Sequence, residues 1–286
     1  GIPFLLFQCH GVRLNERVHL DARGRLRRRW KGFSRWDVDC IAREMSLLRR
    51  ADAVVSIGPN PSAALARAPY RWALGRRPVV QIPNGVDETR FHPGPAAGRA
   101  WRAAWGLPED APVVLTVSRL VGHKGTDQAI QAFARWSKGR PQARHVIVGD
   151  GPERPHLEQQ ARRLGIAGQV LFTGALPDAQ LPAAYQGADA FLFLPTGTEG
   201  HPLNMLEALG CGLPVVAPPH AIDATHPEAR MFAAPPLDTA AVAKAITAAL
   251  AAPRPRGTAC QLPPHLTLQG CAAAYERLLA RGLSRA

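Results

Sequence analysis

The feature that most limits how this chain can fold is its rhythm. From Pro112 onward, short runs rich in β-branched and aromatic residues alternate with helical stretches. The runs predict strands at Pro112–Val117, His145–Val148, Gln169–Phe172, Ala188–Leu194, Leu213–Ala217 and Arg230–Ala233. Helical patterns separate them, as in Thr126–Trp136, where Ile130, Phe133 and Ala134 share a face. Strands that are apolar throughout and joined by helices specify a parallel, doubly wound sheet covered on both faces. The earlier part of the chain repeats the theme less regularly, with strands expected at Pro3–Phe7, Ala53–Ile57 and Pro78–Ile82. Helices are expected there near Val38–Arg50 and Ser62–Ala68. FHPGPAAGRAW (Phe91–Trp101) is rich in Pro and Gly and reads as a linker. A last helix, about Leu266 to Leu279, follows a Pro-rich stretch, Leu250–Pro264.

A chain of 286 residues, 46% of them hydrophobic, is long enough for two modest domains with real cores. No apolar run approaches the roughly 20 residues that span a bilayer, and no signal peptide is visible. The chain opens GIPFLLFQCHG, without an initiator Met and already in a strand pattern, so a fragment lacking its natural start is expected. The five cysteines, Cys9, Cys40, Cys211, Cys260 and Cys271, show neither CxxC nor Cys/His metal spacing. That predicts reduced, mostly buried thiols in a cytoplasmic setting and no structural zinc.

The formal charge of +13 raises the question of nucleic acid. Only four of the 35 basic residues are Lys, and Ala, Pro and Gly abound, the usage of a GC-rich genome. The excess is also local, because residues 1–50 hold 12 basic and 5 acidic residues. Within them lies RGRLRRRWKGFSRW (Arg23–Trp36), in which Trp30, Phe33 and Trp36 interleave with the charges. A solvated basic face and contact with an anionic membrane surface both remain open for this run. No DNA- or RNA-binding motif accompanies it, so nucleic acid is not expected as a partner.

In an open parallel sheet the ligand sits beyond the carboxyl ends of the strands. VVLTV is followed at once by SRLVGHKG (Ser118–Gly125), which sets Arg119 and Lys124 at that edge just before a helix begins. Two cations beside a helix N-terminus suit a diphosphate; ordinary surface charge is the alternative. VGDGPE (Val148–Glu153) brings Gly149 and Gly151 to the same edge, where glycine lets a flat surface or nucleobase approach the backbone, or simply makes a turn. FTGALPD (Phe172–Asp178) is a further Gly-containing turn there. TEGHPLNMLEALGCGLPVVA (Thr198–Ala217) follows the next strand. It reads as a loop carrying Glu199 and Gly200, then a short helix carrying Glu207, with Pro202 in its first turn. Leu203, Leu206, Ala208 and Leu209 give that helix an expected buried face, and Gly210 and Gly212 close it. Backbone N–H groups near Gly200–Leu203 suit a phosphate or sugar oxygen. Glu207 suits a ribose diol and Glu199 sugar hydroxyls, against the alternatives of a solvent-facing helix residue and a first-turn charge. His10, at the end of the first visible strand, reads equally as structural or as a site residue.

These motifs, in this order, resemble the family-4 glycosyltransferases. CHG at Cys9–Gly11, EMSLLRRADAVVSIG at Glu44–Gly58 and IPNGVDETRFHP at Ile82–Pro93 match the first half. SRLVGHKG, VGDGPE, FTGALPD, ADAFLFLP at Ala188–Pro195, and the pair Glu199/Glu207 followed by CGLPVVA match the second. The resemblance implies an α/β fold of the GT-B type, two Rossmann-like domains with parallel sheets, the first incomplete here. It places a partial acceptor-side domain at 1–92, a nucleotide-sugar-binding domain at 93–265 and, at 266–286, a helix that packs back on the first domain.

The resemblance also implies the chemistry, a hexosyltransferase that moves a sugar from a nucleotide-sugar donor to a hydroxyl acceptor with retention of configuration and without a metal or other cofactor. Arg119 and Lys124 match the basic pair on the donor diphosphate, Glu207 the acid on the donor ribose and Glu199 the acid beside the transferred sugar. His10 matches the histidine facing that sugar. Gly149 and Gly151, with the Gly174–Leu176 turn that holds Ala175 and Leu176, match the nucleobase pocket. Gly200, His201, Pro202 and Leu203 complete the donor-binding loop; His201 stands where an aromatic or aliphatic residue is commoner. A cytoplasmic location, peripheral at the inner membrane face, goes with this reading. A nucleotide-sugar epimerase or a phosphorylase of the same fold, and a non-catalytic nucleotide-binding or membrane-docking module, are the rival readings.

Overall fold

The structure, a computed structural model, describes residues 6–9, 19–20, 26–27, 35–197, 199–222, 230–253, 255 and 257–283. His10, the start of the strand expected at Pro3–Phe7 and most of the basic run Arg23–Trp36 lie outside the described residues. The chain divides into two compact units. One comprises Gly1–Gly85, Thr198–His201 and Leu268–Ala286, the other Val86–Gly197 and Pro202–Thr267.

The first unit holds a small parallel sheet of β1 (Leu6–Cys9), β4 (Ala53–Ser56) and β5 (Val79–Gln81) in the order β1-β4-β5. A short antiparallel pair, β2 (His19–Leu20) and β3 (Leu26–Arg27), stands apart from it. Every residue of β4 is buried, as befits a strand with a neighbour on each side. Helix Arg35–Arg50 starts earlier than the apolar pattern suggests, and the next helix runs Pro59–Leu65 rather than Ser62–Ala68, because Pro59 supplies a favourable first turn. A helix at Tyr70–Leu74 escapes the sequence pattern altogether; it is one turn long and anchored by Tyr70, which is fully buried. The C-terminal helix, Leu268–Leu283, belongs to this unit, and the Cys271 thiol donates to the Pro83 carbonyl at 3.4 Å.

The second unit is the doubly wound sheet that the rhythm predicts. Six parallel strands, β6 (Val113–Val117), β7 (Arg144–Val148), β8 (Val170–Gly174), β9 (Ala190–Leu192), β10 (Val215–Ala217) and β11 (Met231–Ala233), lie in the order β11-β10-β9-β6-β7-β8. Alternate residues feed two separate cores. Val113, Leu115, Val146 and Val148 face the helices Pro95–Ala104, Leu181–Gly187 and Leu203–Gly210, whereas Val114, Ile147 and Val216 face Thr126–Trp136 and Thr239–Ala251. Helix Thr126–Trp136 matches its expected span.

The expected linker Phe91–Trp101 is not one. Gly94 and Pro95 begin a helix, Pro95–Ala104, in which Trp101 is buried, and Gly98 lets its backbone approach helix Leu181–Gly187 so closely that a Cβ would sit 2.3 Å from the Gln186 carbonyl oxygen. Its glycine is a packing requirement, not a sign of irregularity. Arg102 of this helix locks it to the sheet. Its guanidinium donates to the carbonyls of Gly187 (2.7 Å), Glu109 (2.6 Å) and Ala111 (3.0 Å), and to Asp189 Oδ2 at 2.6 Å. Asp189 Oδ2 also accepts from the Val113 N–H, so one carboxylate ties the entrances of β6 and β9 to the helix. Of the five thiols, Cys9 and Cys211 are buried and Cys40, Cys260 and Cys271 only partly so, fewer than expected; none forms a disulfide. Among the described residues no helix is long and apolar enough to cross a membrane.

His145 on β7 is fully buried. Its Nε2 shares a 3.0 Å hydrogen bond with Thr116 Oγ1, and Phe133 packs on the ring at 5.1 Å. Burial pushes its pKa down from 6.5 to about 3. Between those values the unfolded chain binds a proton at His145 that the folded chain refuses, so stability falls as pH falls through this window and changes no further below it. The folding constant should drop roughly tenfold per pH unit on this account. Urea denaturation of the wild type and of His145→Gln across the window checks this. The substitution should flatten the acid limb, and identical limbs would acquit His145.

Candidate functional site

In the second unit the chain runs outward from β6 through β7 and β8, then returns to the other side of β6 to place β9, β10 and β11. The reversal puts the topological switch point between β6 and β9, and open α/β sheets hold ligands at the carboxyl edge of such a point. The loop after β6 carries Arg119, exposed, with no hydrogen bond or ion pair to its guanidinium among the described residues. Lys124, half-buried, ends a 3-10 turn (Gly122–Lys124) immediately before Gly125 opens helix Thr126–Trp136. The cationic pair therefore stands at the switch point, beside a helix N-terminus that favours anions.

The loops along this edge are knitted by their own backbones. Ser118 N donates to Val148 O (3.0 Å), Leu120 N to Asp150 O (2.9 Å), Glu153 N to Leu120 O (3.1 Å) and Thr196 N to His123 O (3.0 Å). Sequence reasoning leaves Gly149 and Gly151 open between an approach for a flat ligand and a simple turn. In each, however, the side that a Cβ would occupy is filled by the chain itself, at 1.9 Å from Ser118 O for Gly149 (φ 130°) and 2.4 Å from Leu120 O for Gly151 (φ 159°). Gly125 (φ 68°) is tighter still, with its absent Cβ 1.7 Å from Leu194 O. Gly149 N donates to Gly174 O at 2.9 Å, and a register irregularity in the β7–β8 pairing, from Ile147↔Phe172 to Val148↔Gly174, brings the next turn up to the edge. There Ala175 is exposed and Leu176 is half-buried against the core. Arg154 frames the turn through Glu158 (2.9 Å) and Asp150 (3.5 Å).

The helix Leu203–Gly210 starts after Pro202, whose extended backbone (φ −72°, ψ 119°) sets the entry. Its buried residues are Met205, Leu206, Ala208, Leu209 and Gly210; Leu203, expected in the core, is the first residue of the helix and is exposed. Asn204 Nδ2 donates to Val117 O, the last carbonyl of β6, at 2.7 Å. Sequence reasoning misses Asn204, whose partner carbonyl lies 87 residues away in the chain. Glu207 is not solvent-facing. Its Oε2 accepts a 2.7 Å hydrogen bond from the hydroxyl of Tyr185, itself fully buried. Burial raises the Glu207 pKa, with a further push from Asp178, while the Tyr185 hydrogen bond and Arg90 oppose the rise. Arg90 pairs with Asp178 at 2.8 Å. Arg119, Lys124, Gly149, Gly151, Ala175, Leu176, Pro202, Leu203 and Glu207 thus all belong to the second unit.

Glu199, Gly200 and His201 belong to the first unit. Two asparagines hold this loop by its carbonyls, Asn60 Nδ2 to Glu199 O at 2.9 Å and Asn84 Nδ2 to His201 O at 2.8 Å. Gly58 fits beneath it, its Cβ position 3.0 Å from Gly200 O. His201 is buried and the Glu199 side chain half-buried. Neither asparagine is singled out by sequence reasoning, though Asn84 sits inside IPNGVDETRFHP. Among the described residues no group of three His, Cys, Asp or Glu side chains is placed to hold a metal ion.

Residues 98–257, which include the cationic loop, the glycine turns and Glu207, match the family model for glycosyl transferases group 1. The chain belongs to this family. Over 194 residues it is 37% identical to the GDP-mannose-dependent alpha-(1-6)-phosphatidylinositol monomannoside mannosyltransferase of Mycolicibacterium smegmatis, covering 64% of this chain and 48% of that protein. The chain thus spans about half the length of the curated relatives it matches. Its fold is similar to that of sucrose-phosphate synthase from Thermosynechococcus elongatus, with a TM-score of 0.74 at 24% identity, over 98% of this chain and 68% of the other. It is also similar to Anabaena HepE in complex with UDP-glucose, with a TM-score of 0.70 at 22% identity, over 98% and 72%. The fold of this group 1 member is therefore α/β of the GT-B type, with two parallel sheets, the first of them small.

The glycine contacts make a sharp prediction. Gly149→Ala and Gly151→Ala should each destabilise the chain by about 2–4 kcal/mol, through backbone overlap and an unfavourable φ. Gly168→Ala, with open space around the new methyl, should stay within about 0.5 kcal/mol of wild type. Denaturation midpoints decide it, and a neutral Gly149→Ala would contradict the packing described.

Proposed function

We propose that this chain forms the donor-binding part of a retaining, metal-independent glycosyltransferase of the family-4 kind, which moves a hexose from a nucleotide-sugar to a hydroxyl acceptor. The observation that carries the reading is the position of the Arg119–Lys124 loop. Two cations stand at the β6/β9 switch point beside a helix N-terminus, inside the segment that matches the group 1 family. The relative from M. smegmatis is named for a GDP-mannose donor and the HepE structure for UDP-glucose, which supports a nucleotide-sugar as the donor class.

In this reading the donor diphosphate lies against Arg119, Lys124 and the N–H groups opening helix Thr126–Trp136. As the bond between the anomeric carbon and the phosphate oxygen breaks, charge grows on the departing nucleoside diphosphate, and these fixed positive groups stabilise it. The acceptor hydroxyl oxygen bonds to the same carbon on the same face, and its proton passes to the leaving phosphate. Configuration is retained and no side chain need serve as the base. Glu207 accepts from the donor ribose diol, the turns at Gly149–Gly151 and at Ala175–Leu176 border the base, and Pro202 and Leu203 lead the phosphate-facing helix. Glu199, Gly200, His201 and His10 are assigned to the transferred sugar. The basic run Arg23–Trp36 is assigned to peripheral contact with an anionic membrane surface at the cytoplasmic side.

Calorimetric titration with UDP, GDP and ADP tests the reading. One of them should bind, and Arg119→Ala should weaken it by about 10- to 100-fold, the loss of a charged hydrogen-bonding partner. Unchanged affinity would remove Arg119 from the diphosphate. Absence of binding by all three to the folded chain would sink the donor-site assignment.

A further inference from the structure

Tyr185 is an unusual core residue. Its ring is fully buried, edge-on to Phe91 (5.9 Å) and tilted against Phe191 (5.7 Å), yet its hydroxyl points out of that aromatic cluster to Glu207 Oε2. A phenylalanine would fill the same apolar space. The hydroxyl must otherwise find a partner in the core, and the one it has is a candidate ligand-binding carboxylate on a different helix. Among the described residues no other hydrogen bond reaches that carboxylate, so Oε2 is engaged while Oε1 is uncommitted.

We propose that Tyr185 is a positioning residue for the donor site: it holds Oε2 of Glu207 so that Oε1 is presented to the vicinal hydroxyls of a nucleoside diphosphate. This rests on the assignment of Glu207 to the ribose. A carboxylate on a free side chain rotates about its terminal torsion, whereas one gripped at a single oxygen offers the other in a set direction. The same contact favours the ionised form, the one that accepts from a diol, against the burial that disfavours it. Burial favours the neutral acid and Asp178 reinforces it. Tyr185 and Arg90 oppose this, and Cys211, one turn on, is held neutral by its own burial. The neighbouring strand β10 (Val215–Ala217) brings no titratable group to the helix. Tyr185 is thus the hydrogen-bond donor that opposes the rise of the Glu207 pKa, and its loss moves that pKa further upward.

The test pairs UDP and GDP with their 2′,3′-dideoxy counterparts in calorimetric titrations of wild type, Tyr185→Phe and Glu207→Gln. In the wild type one ribose nucleotide should bind more tightly than its dideoxy form. Tyr185→Phe should cut that ribose preference by about tenfold and move the pH below which it is lost upward, with the dideoxy affinity unchanged. Glu207→Gln should remove the preference. A folded Tyr185→Phe with wild-type preference and the same acid midpoint overturns the proposal and leaves Glu207 in place. A Glu207→Gln that keeps the full preference, or a wild type without one, overturns the ribose assignment and the proposal with it. A carboxyl-carbon NMR titration of Glu207 supplies a reading that needs no ligand. An upward shift of its midpoint in Tyr185→Phe supports the proposal, and an unchanged midpoint refutes it.

Discussion

At three points along the carboxyl edge of the larger sheet, a backbone carbonyl occupies the space where any other residue would carry its Cβ. Leu194 O does so at Gly125, Ser118 O at Gly149 and Leu120 O at Gly151. These contacts bring the exits of β6, β7 and β9 within backbone hydrogen-bonding distance of one another, and the bonds from Ser118, Leu120, Glu153 and Thr196 follow from that approach. The cationic loop thereby becomes part of a small rigid frame, not a surface excursion. Arg119 and Lys124 are positioned by glycines that never need to touch a ligand. Preorganisation of this kind is what charge stabilisation demands, since a loop that had to order itself around a diphosphate would lose much of the gain as entropy.

The frame also explains how far the sequence could be read. Strands β6 to β11 were legible to within a residue or two, because strands buried on both faces are continuous apolar runs and each is followed by a turn. Helix Thr126–Trp136 was legible to the residue. Helix Pro95–Ala104 was not, because its Gly and Pro residues serve tight packing on Gln186 and a first turn, uses that composition cannot separate from those of a linker. Leu203 misled for the opposite reason, in that helical periodicity says which face is apolar but not which of its residues the fold covers. Gly149 and Gly151 were located correctly, but the neighbour that demands glycine is the chain itself.

The side-chain partners were harder still. Asn60, Asn84 and Asn204 each donate to a carbonyl distant in sequence, at Glu199, His201 and Val117. Nothing local distinguishes such an amide from one in solvent, since what defines it is an orphan carbonyl that only the fold brings near. The Tyr185–Glu207 bond has the same character. Both residues sit at helical positions where a core residue and a surface acid would be unremarkable, and only the fold brings them into contact.

Two arginines of the second unit show what separates a structural charge from one held ready. Arg102, at the end of the sheet opposite the candidate site, is almost wholly buried, with its guanidinium spread over four carbonyls and the Asp189 carboxylate. Taking that cation out of water is tolerable only because so many acceptors converge on it, and they leave it nothing to offer a ligand. Arg119, at the switch-point edge, is exposed and has no such acceptors among the described residues, although its neighbours Ser118 and Leu120 are tied by backbone hydrogen bonds to Val148 and Asp150. A firm backbone under an uncommitted cation is the arrangement expected when the counter-charge is meant to come from outside. Glu207 is intermediate, with one oxygen satisfied by Tyr185 and one not. The degree to which each polar group is already satisfied, more than its residue type, marks where this fold leaves room for a ligand.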